Sequence, residues 1–68
     1  MNTILTPKEK EIFELLILNK TTEEVADILC ISEKTVRNHI SNVIQKLKVK
    51  TRSNAIVELI KIGELSLD

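Results

Sequence analysis

Ile31-Ser32-Glu33-Lys34-Thr35-Val36-Arg37-Asn38-His39-Ile40-Ser41-Asn42-Val43-Ile44-Gln45-Lys46-Leu47-Lys48 is the stretch whose reading decides the fold. Ser32 is a favourable helix N-cap, because its hydroxyl can accept a backbone N–H that has no partner inside the helix. From Glu33 onward, Val36, Ile40, Val43, Ile44 and Leu47 recur at helical spacing and fall on one stripe. The pattern predicts a helix over residues 33–47. The other side presents Lys34, Arg37, Asn38, Ser41, Gln45 and Lys48 and holds no acid. An ordinary solvated face mixes Glu with Lys. Here Arg matches guanine O6 and N7, Asn matches adenine N6 and N7, and Ser is short enough to let a helix approach.

Upstream, Thr21-Thr22-Glu23-Glu24 offers a capping box from Thr21 to Glu24 and predicts a helix over residues 22–29. Only Cys30, Ile31 and Ser32 separate it from the next helix. A link this short favours two helices crossing steeply, as in a helix-turn-helix. Val25, Leu29, Ile31 and Val36 are apolar where the two helices must meet, and Ala26 is small where their backbones come close. Cys30 stands where a turn glycine is common. It is expected to be a small buried residue, since nothing basic beside it would favour a thiolate. His39 sits where an aliphatic residue is usual, and packing at the core edge and touching a phosphate both remain open for it.

Two further helices complete the chain. Thr6-Pro7-Lys8-Glu9 combines a capping box with a first-turn proline and predicts a helix over residues 7–18. That helix is apolar on more than one side. Thr51 caps a helix over residues 52–62, and Gly63 is its natural stop. The expectation is an all-α fold of four helices, forming a single domain over residues 1–68. In the last helix, Ala55, Leu59 and Ile62 make one stripe suited to the core. Ile56, Val57 and Ile60 widen the apolar arc to about 220°, against the roughly 100° that covers one core. Either a second subunit covers the surplus, or the chain ends do, through Ile4, Leu5, Leu65 and Leu67.

Composition narrows the function. The 68 residues include one Gly, one Pro and one aromatic residue, Phe13, and carry no net charge. The balance is uneven along the chain: residues 1–32 carry a charge of −3, residues 33–52 carry +5, and residues 53–68 carry −2. A basic block inside an acidic chain fits either a polyanion-binding surface or a Lys-rich solvated face. One cysteine and one histidine do not make a zinc site. His39 and Cys30 lie on different elements, and the carboxylates read as exposed helix charges. No catalytic site, metal or cofactor is therefore expected. The longest apolar run, Leu15 to Leu18, cannot span a membrane, and no signal peptide is read. A single free thiol suits a reducing, cytoplasmic setting.

These residues also resemble a known family. Leu5-Thr6-Pro7-Lys8-Glu9-Lys10-Glu11-Ile12 is similar to the opening LTxREREV of the LuxR/FixJ/GerE-type DNA-binding domains. Glu24-Val25-Ala26 resembles their EIA, and Ile31 to His39 resembles their ISxxTVKxH. Asn42-Val43, Lys46-Leu47, Val49, Arg52, Ala55 and Gly63 follow in order. The likeness covers about residues 4 to 67 and is strongest to sporulation regulators made of little more than this domain. It implies a bacterial, nucleoid-associated transcription regulator that binds double-stranded DNA as a homodimer, with the third helix in the major groove. On this resemblance Arg37, Asn38 and Ser41 would read bases, and Lys34 and Thr35 would lie near the phosphates or the first base pair. Lys46 and Arg52 would touch the DNA backbone. Ile56, Val57 and Ile60 would lie at the dimer interface, and RNA polymerase would be a further partner. Lys48 replaces the family's usual glycine, and Glu23 stands where a basic residue is frequent. A helical protein-interaction module of the transcription machinery, as in sigma factors, is the alternative.

Overall fold

The structure is a computed structural model that describes residues 4–67; residues 1–3 and 68 of the expected domain lie outside the described residues. Four helices follow one another: α1 (Pro7–Ile17), α2 (Thr22–Leu29), α3 (Glu33–Leu47) and α4 (Arg52–Lys61). The described residues contain no strand, so the all-α expectation holds.

Each helix starts where a side-chain oxygen takes up orphan backbone N–H groups. Thr6 and Glu9 form a reciprocal box: the Glu9 N–H donates to Thr6 Oγ1 at 3.2 Å and the Thr6 N–H to Glu9 Oε1 at 2.9 Å. Thr21 and Glu24 repeat it at 3.1 and 2.9 Å. Ser32 Oγ accepts from the Thr35 N–H at 3.0 Å, and Thr51 Oγ1 from the Asn54 N–H at 3.1 Å.

The helix ends need more correction. α1 stops one residue before the expected Leu18. Asn19 takes a left-handed backbone (φ 67°), and the Lys20 N–H bonds back to the Leu15 carbonyl at 3.2 Å, which closes the last turn. α4 likewise ends at Lys61, one residue before the expected Ile62. Gly63 (φ 80°) makes the left-handed turn there, and the Glu64 N–H returns to Leu59 O at 2.9 Å. Cys30 and Lys48 adopt the same left-handed conformation, at φ 58° and 57°, without being glycine. Cys30 is exposed, not buried as expected. At the left-handed end of α2, its Ile31 neighbour turns back to the core while the Cys30 thiol only approaches Asp27 O at 3.9 Å.

The helix α3 packs against each of the other three, and α1 also packs on α2. Its Val36 and Val43 are fully buried with Ile12, Phe13, Val25, Ala55 and Leu59, and Ile40 joins them. This is the stripe that the helical spacing marks. Chain-end wrapping is partial: Leu5 and Leu65 are buried, whereas Ile4 and Leu67 are exposed. Ile62, expected on the inner stripe, is exposed as well, because it lies in the turn after α4.

One buried charge departs from the expectation of exposed carboxylates. Glu9 is only 3% exposed. It accepts a hydrogen bond from Lys46 Nζ at 2.5 Å, and the same ammonium donates to the Ile4 carbonyl at 2.9 Å. Burial works to raise the Glu9 pKa. The Lys46 hydrogen bond, the Thr6 N–H and the nearby charges of Lys46 and His39 outweigh it and hold the carboxyl below its ordinary value.

Candidate nucleic-acid interface

The apolar stripe of α3 anchors it in the core, so the opposite face must project. Lys34, Arg37, Asn38, Ser41, Gln45 and Lys48 are all exposed. From Lys34 to Lys48 the row of cationic, amide and hydroxyl groups therefore runs for roughly 21 Å, about four turns, at 1.5 Å per residue. Rigid burial behind and polar groups in front let a helix enter a groove without bending.

The expected site residues divide into those left free and those the fold has engaged. Lys34, Asn38 and Ser41 stand exposed on the face. Arg37 is exposed too, but its Nη2 donates to Glu33 Oε2 at 2.6 Å. That same carboxylate oxygen accepts from the Thr22 hydroxyl of α2 at 2.8 Å. The Thr35 hydroxyl shares a 2.8 Å hydrogen bond with Ser32 Oγ, so it closes the helix start. Arg52, at the start of α4, lines with Arg37 an open notch of about 390 Å³, together with Thr22, Ile40 and Ser41. Two guanidinium-bearing residues lining one notch suit a phosphate. Lys46 is engaged internally by Glu9 and Ile4 and lies roughly 120° around the helix from Lys34, at 100° per residue.

Two features had no signal in sequence spacing. The Glu9–Lys46 pair joins residues 37 apart, and the Thr22–Glu33 bond joins two helices. A basic residue at a helix end gives no hint whether it faces water or a carboxylate. His39 packs at the core edge, half-buried, with its Nδ1 enclosed and lacking a hydrogen-bond partner. Among the described residues no cluster of His, Cys, Asp and Glu could hold a metal.

The surface of α4 is half covered. Ile56 and Ile60 pack partly against the core, whereas Val57 is 56% exposed. A second apolar surface lies on the acidic side of the molecule. There Leu15, Leu18, Ile28 and Leu29 line an open groove of about 310 Å³ with Glu11 and Glu14. None of its lining comes from α3 or α4.

The model of the family described as bacterial regulatory proteins, luxR family, matches residues 3–59. The chain is 64% identical over 64 residues to Spore germination protein GerE of Bacillus subtilis (strain 168), covering 94% of this chain and 86% of that protein. It is 45% identical over 60 residues to Transcriptional regulatory protein DegU of Brevibacillus brevis, covering 88% of this chain but only 25% of DegU. A solved structure of the transcription factor GerE superposes with a TM-score of 0.95 and 58% identity, covering 98% of this chain and all of that one.

Proposed function

The chain belongs to the luxR family of bacterial regulatory proteins, and from that premise we propose that it binds a partly symmetric DNA site as a homodimer, with α3 in the major groove. It is a GerE-like transcription regulator with a helix-turn-helix DNA-binding domain. The observation that carries the finer reading is the acid-free exposed face of α3, Lys34, Arg37, Asn38, Ser41, Gln45 and Lys48, fixed from behind by buried Val36, Ile40 and Val43. Arg37, Asn38 and Ser41 read base edges. Lys34, the helix start at Thr35, and Arg52 in the notch meet phosphates. Lys46, expected on the DNA backbone as well, would have to loosen its bonds to Glu9 and Ile4 to reach a phosphate, and we propose that it stays with them.

Val57 supplies the centre of the dimer contact, flanked by Ile56 and Ile60, with the same patch facing itself across a two-fold axis. The half-sites then lie about one helical turn apart, roughly 10 base pairs. The likeness to Spore germination protein GerE supports a role in the spore programme of a bacterium, in the cytoplasm and on the nucleoid. No described helix is long and apolar enough to cross a membrane. The groove between α1 and α2 supports a protein contact made alongside DNA, with RNA polymerase as the partner.

The test is selection from random duplex DNA, with bound sequences read at low and moderate salt. An inverted repeat with half-sites about 10 base pairs apart supports the reading. Weak, salt-sensitive binding without a shared sequence would leave the protein-interaction alternative in its place.

A further inference from the structure

Glu33 is the one acid of α3, and it stands at the end of the face that the DNA-binding reading turns toward phosphates. A carboxylate there opposes a polyanion. Two ordinary roles are available to it. An acid in the first turn complements the helix dipole, and a Glu–Arg pair four residues apart modestly stabilises a helix. Neither explains the second contact on this carboxylate. The Thr22 hydroxyl, from a different helix, donates to Oε2, the same atom that receives Arg37 Nη2. The carboxylate is thus pinned between α2 and α3, and it fixes one corner of the guanidinium.

An unrestrained Arg samples many rotamers and loses that freedom on binding. A guanidinium held at one corner by a carboxylate keeps further N–H donors in a fixed fork. Resting on the DNA-binding reading, we propose that Glu33, held by Thr22, is a positioning residue that sets the sequence preference of the α3 face by pre-orienting Arg37. Its charge weakens binding to any duplex. The aligned Arg37 recovers that loss only where the base edge offers two acceptors in the right place. Glu33 therefore widens the gap between matched and unmatched DNA.

The probes are the duplex recovered by selection with the wild-type chain and a random-sequence duplex of equal length, both titrated at one salt concentration. Three variants separate orientation from charge: Glu33→Ala, Glu33→Gln and Thr22→Val. None of these side chains belongs to the buried core, and thermal melts check that each variant folds. Glu33→Ala and Glu33→Gln both remove the charge, so both should bind random DNA more tightly. Glu33→Ala also removes the acceptor, so its matched-to-random ratio should fall about fivefold or more. Glu33→Gln keeps an acceptor and should stay within about twofold of wild type in that ratio. Thr22→Val should lower the ratio without tightening random binding. Equal ratio changes in Glu33→Ala and Glu33→Gln would reduce Glu33 to a plain charge and overturn the proposal, as would no change in either. A wild-type chain without any sequence preference would instead remove the DNA-binding reading, and the proposal with it.

Discussion

Two flanks of α3 use the same residue type for opposite ends. On the open face, Lys34 is exposed beside Arg37, Asn38 and Ser41. On the other flank, Lys46 is exposed too, but its ammonium is bonded to the buried Glu9 carboxylate and the Ile4 carbonyl. One lysine is available to a partner, and the other holds the N-terminal segment against the helix. The difference teaches that the +5 charge of residues 33–52 overstates the positive charge left unpaired on the surface. A charge census by sequence counts Lys46 with the face, while the fold has already placed an acid against it.

The largest expected effect separates the two flanks by what they stabilise. Lys46→Met leaves Glu9 enclosed with its main partner gone. Losing a charge-assisted hydrogen bond to a group this buried should cost roughly 2–3 kcal/mol of stability, read by urea denaturation. Lys34→Ala should leave stability within about 0.5 kcal/mol. It should instead reduce the salt slope of DNA binding by about one. A Lys46 variant that melts normally but loses phosphate contacts would erase the distinction.

Arg37→Ala comes next. It should cost about 1–3 kcal/mol on the selected duplex and relax one base position, with equal loss on random DNA removing its base-reading role. The acid limb of stability sharpens the inner flank. The folded Glu9 pKa is held below its ordinary value of 4.5, so its contribution is fully present above that value. It is lost as pH falls through the lowered folded pKa. Urea midpoints measured from about pH 5 downward should fall more steeply in the wild type than in Glu9→Gln. The smallest effect tests the left-handed turn that ends α3. Lys48→Gly relieves a side chain at φ 57° and should raise stability by up to about 1 kcal/mol.

Most of the fold was legible because its signals are local. Thr6 with Glu9, Thr21 with Glu24, and Ser32 and Thr51 alone each mark a helix start within three or four residues. The stripe of α3 also needs no knowledge of what it packs on. The ends were read one residue long at Leu18 and Ile62, since both are apolar and continue the pattern into a turn. Cys30 looked like a buried turn residue because its size and polarity allow it. Only the left-handed backbone at that position shows that its side chain leaves the core. The candidate site was legible as a list of exposed side chains on one helix. What sequence did not carry is which of them have partners from elsewhere in the chain: Lys46 with Glu9, and Arg37 through Glu33 with Thr22. Those contacts depend on how α1 and α2 lie against α3, and no periodicity encodes that.

The most direct test of the central claim is an amide-resolved NMR titration of the labelled chain with the selected duplex. The account predicts that the largest shifts fall on residues 34–41 and on Arg52, with those of Leu18, Ile28 and Lys46 unmoved. Shifts centred on the α1–α2 groove, with the α3 face unchanged, would contradict it.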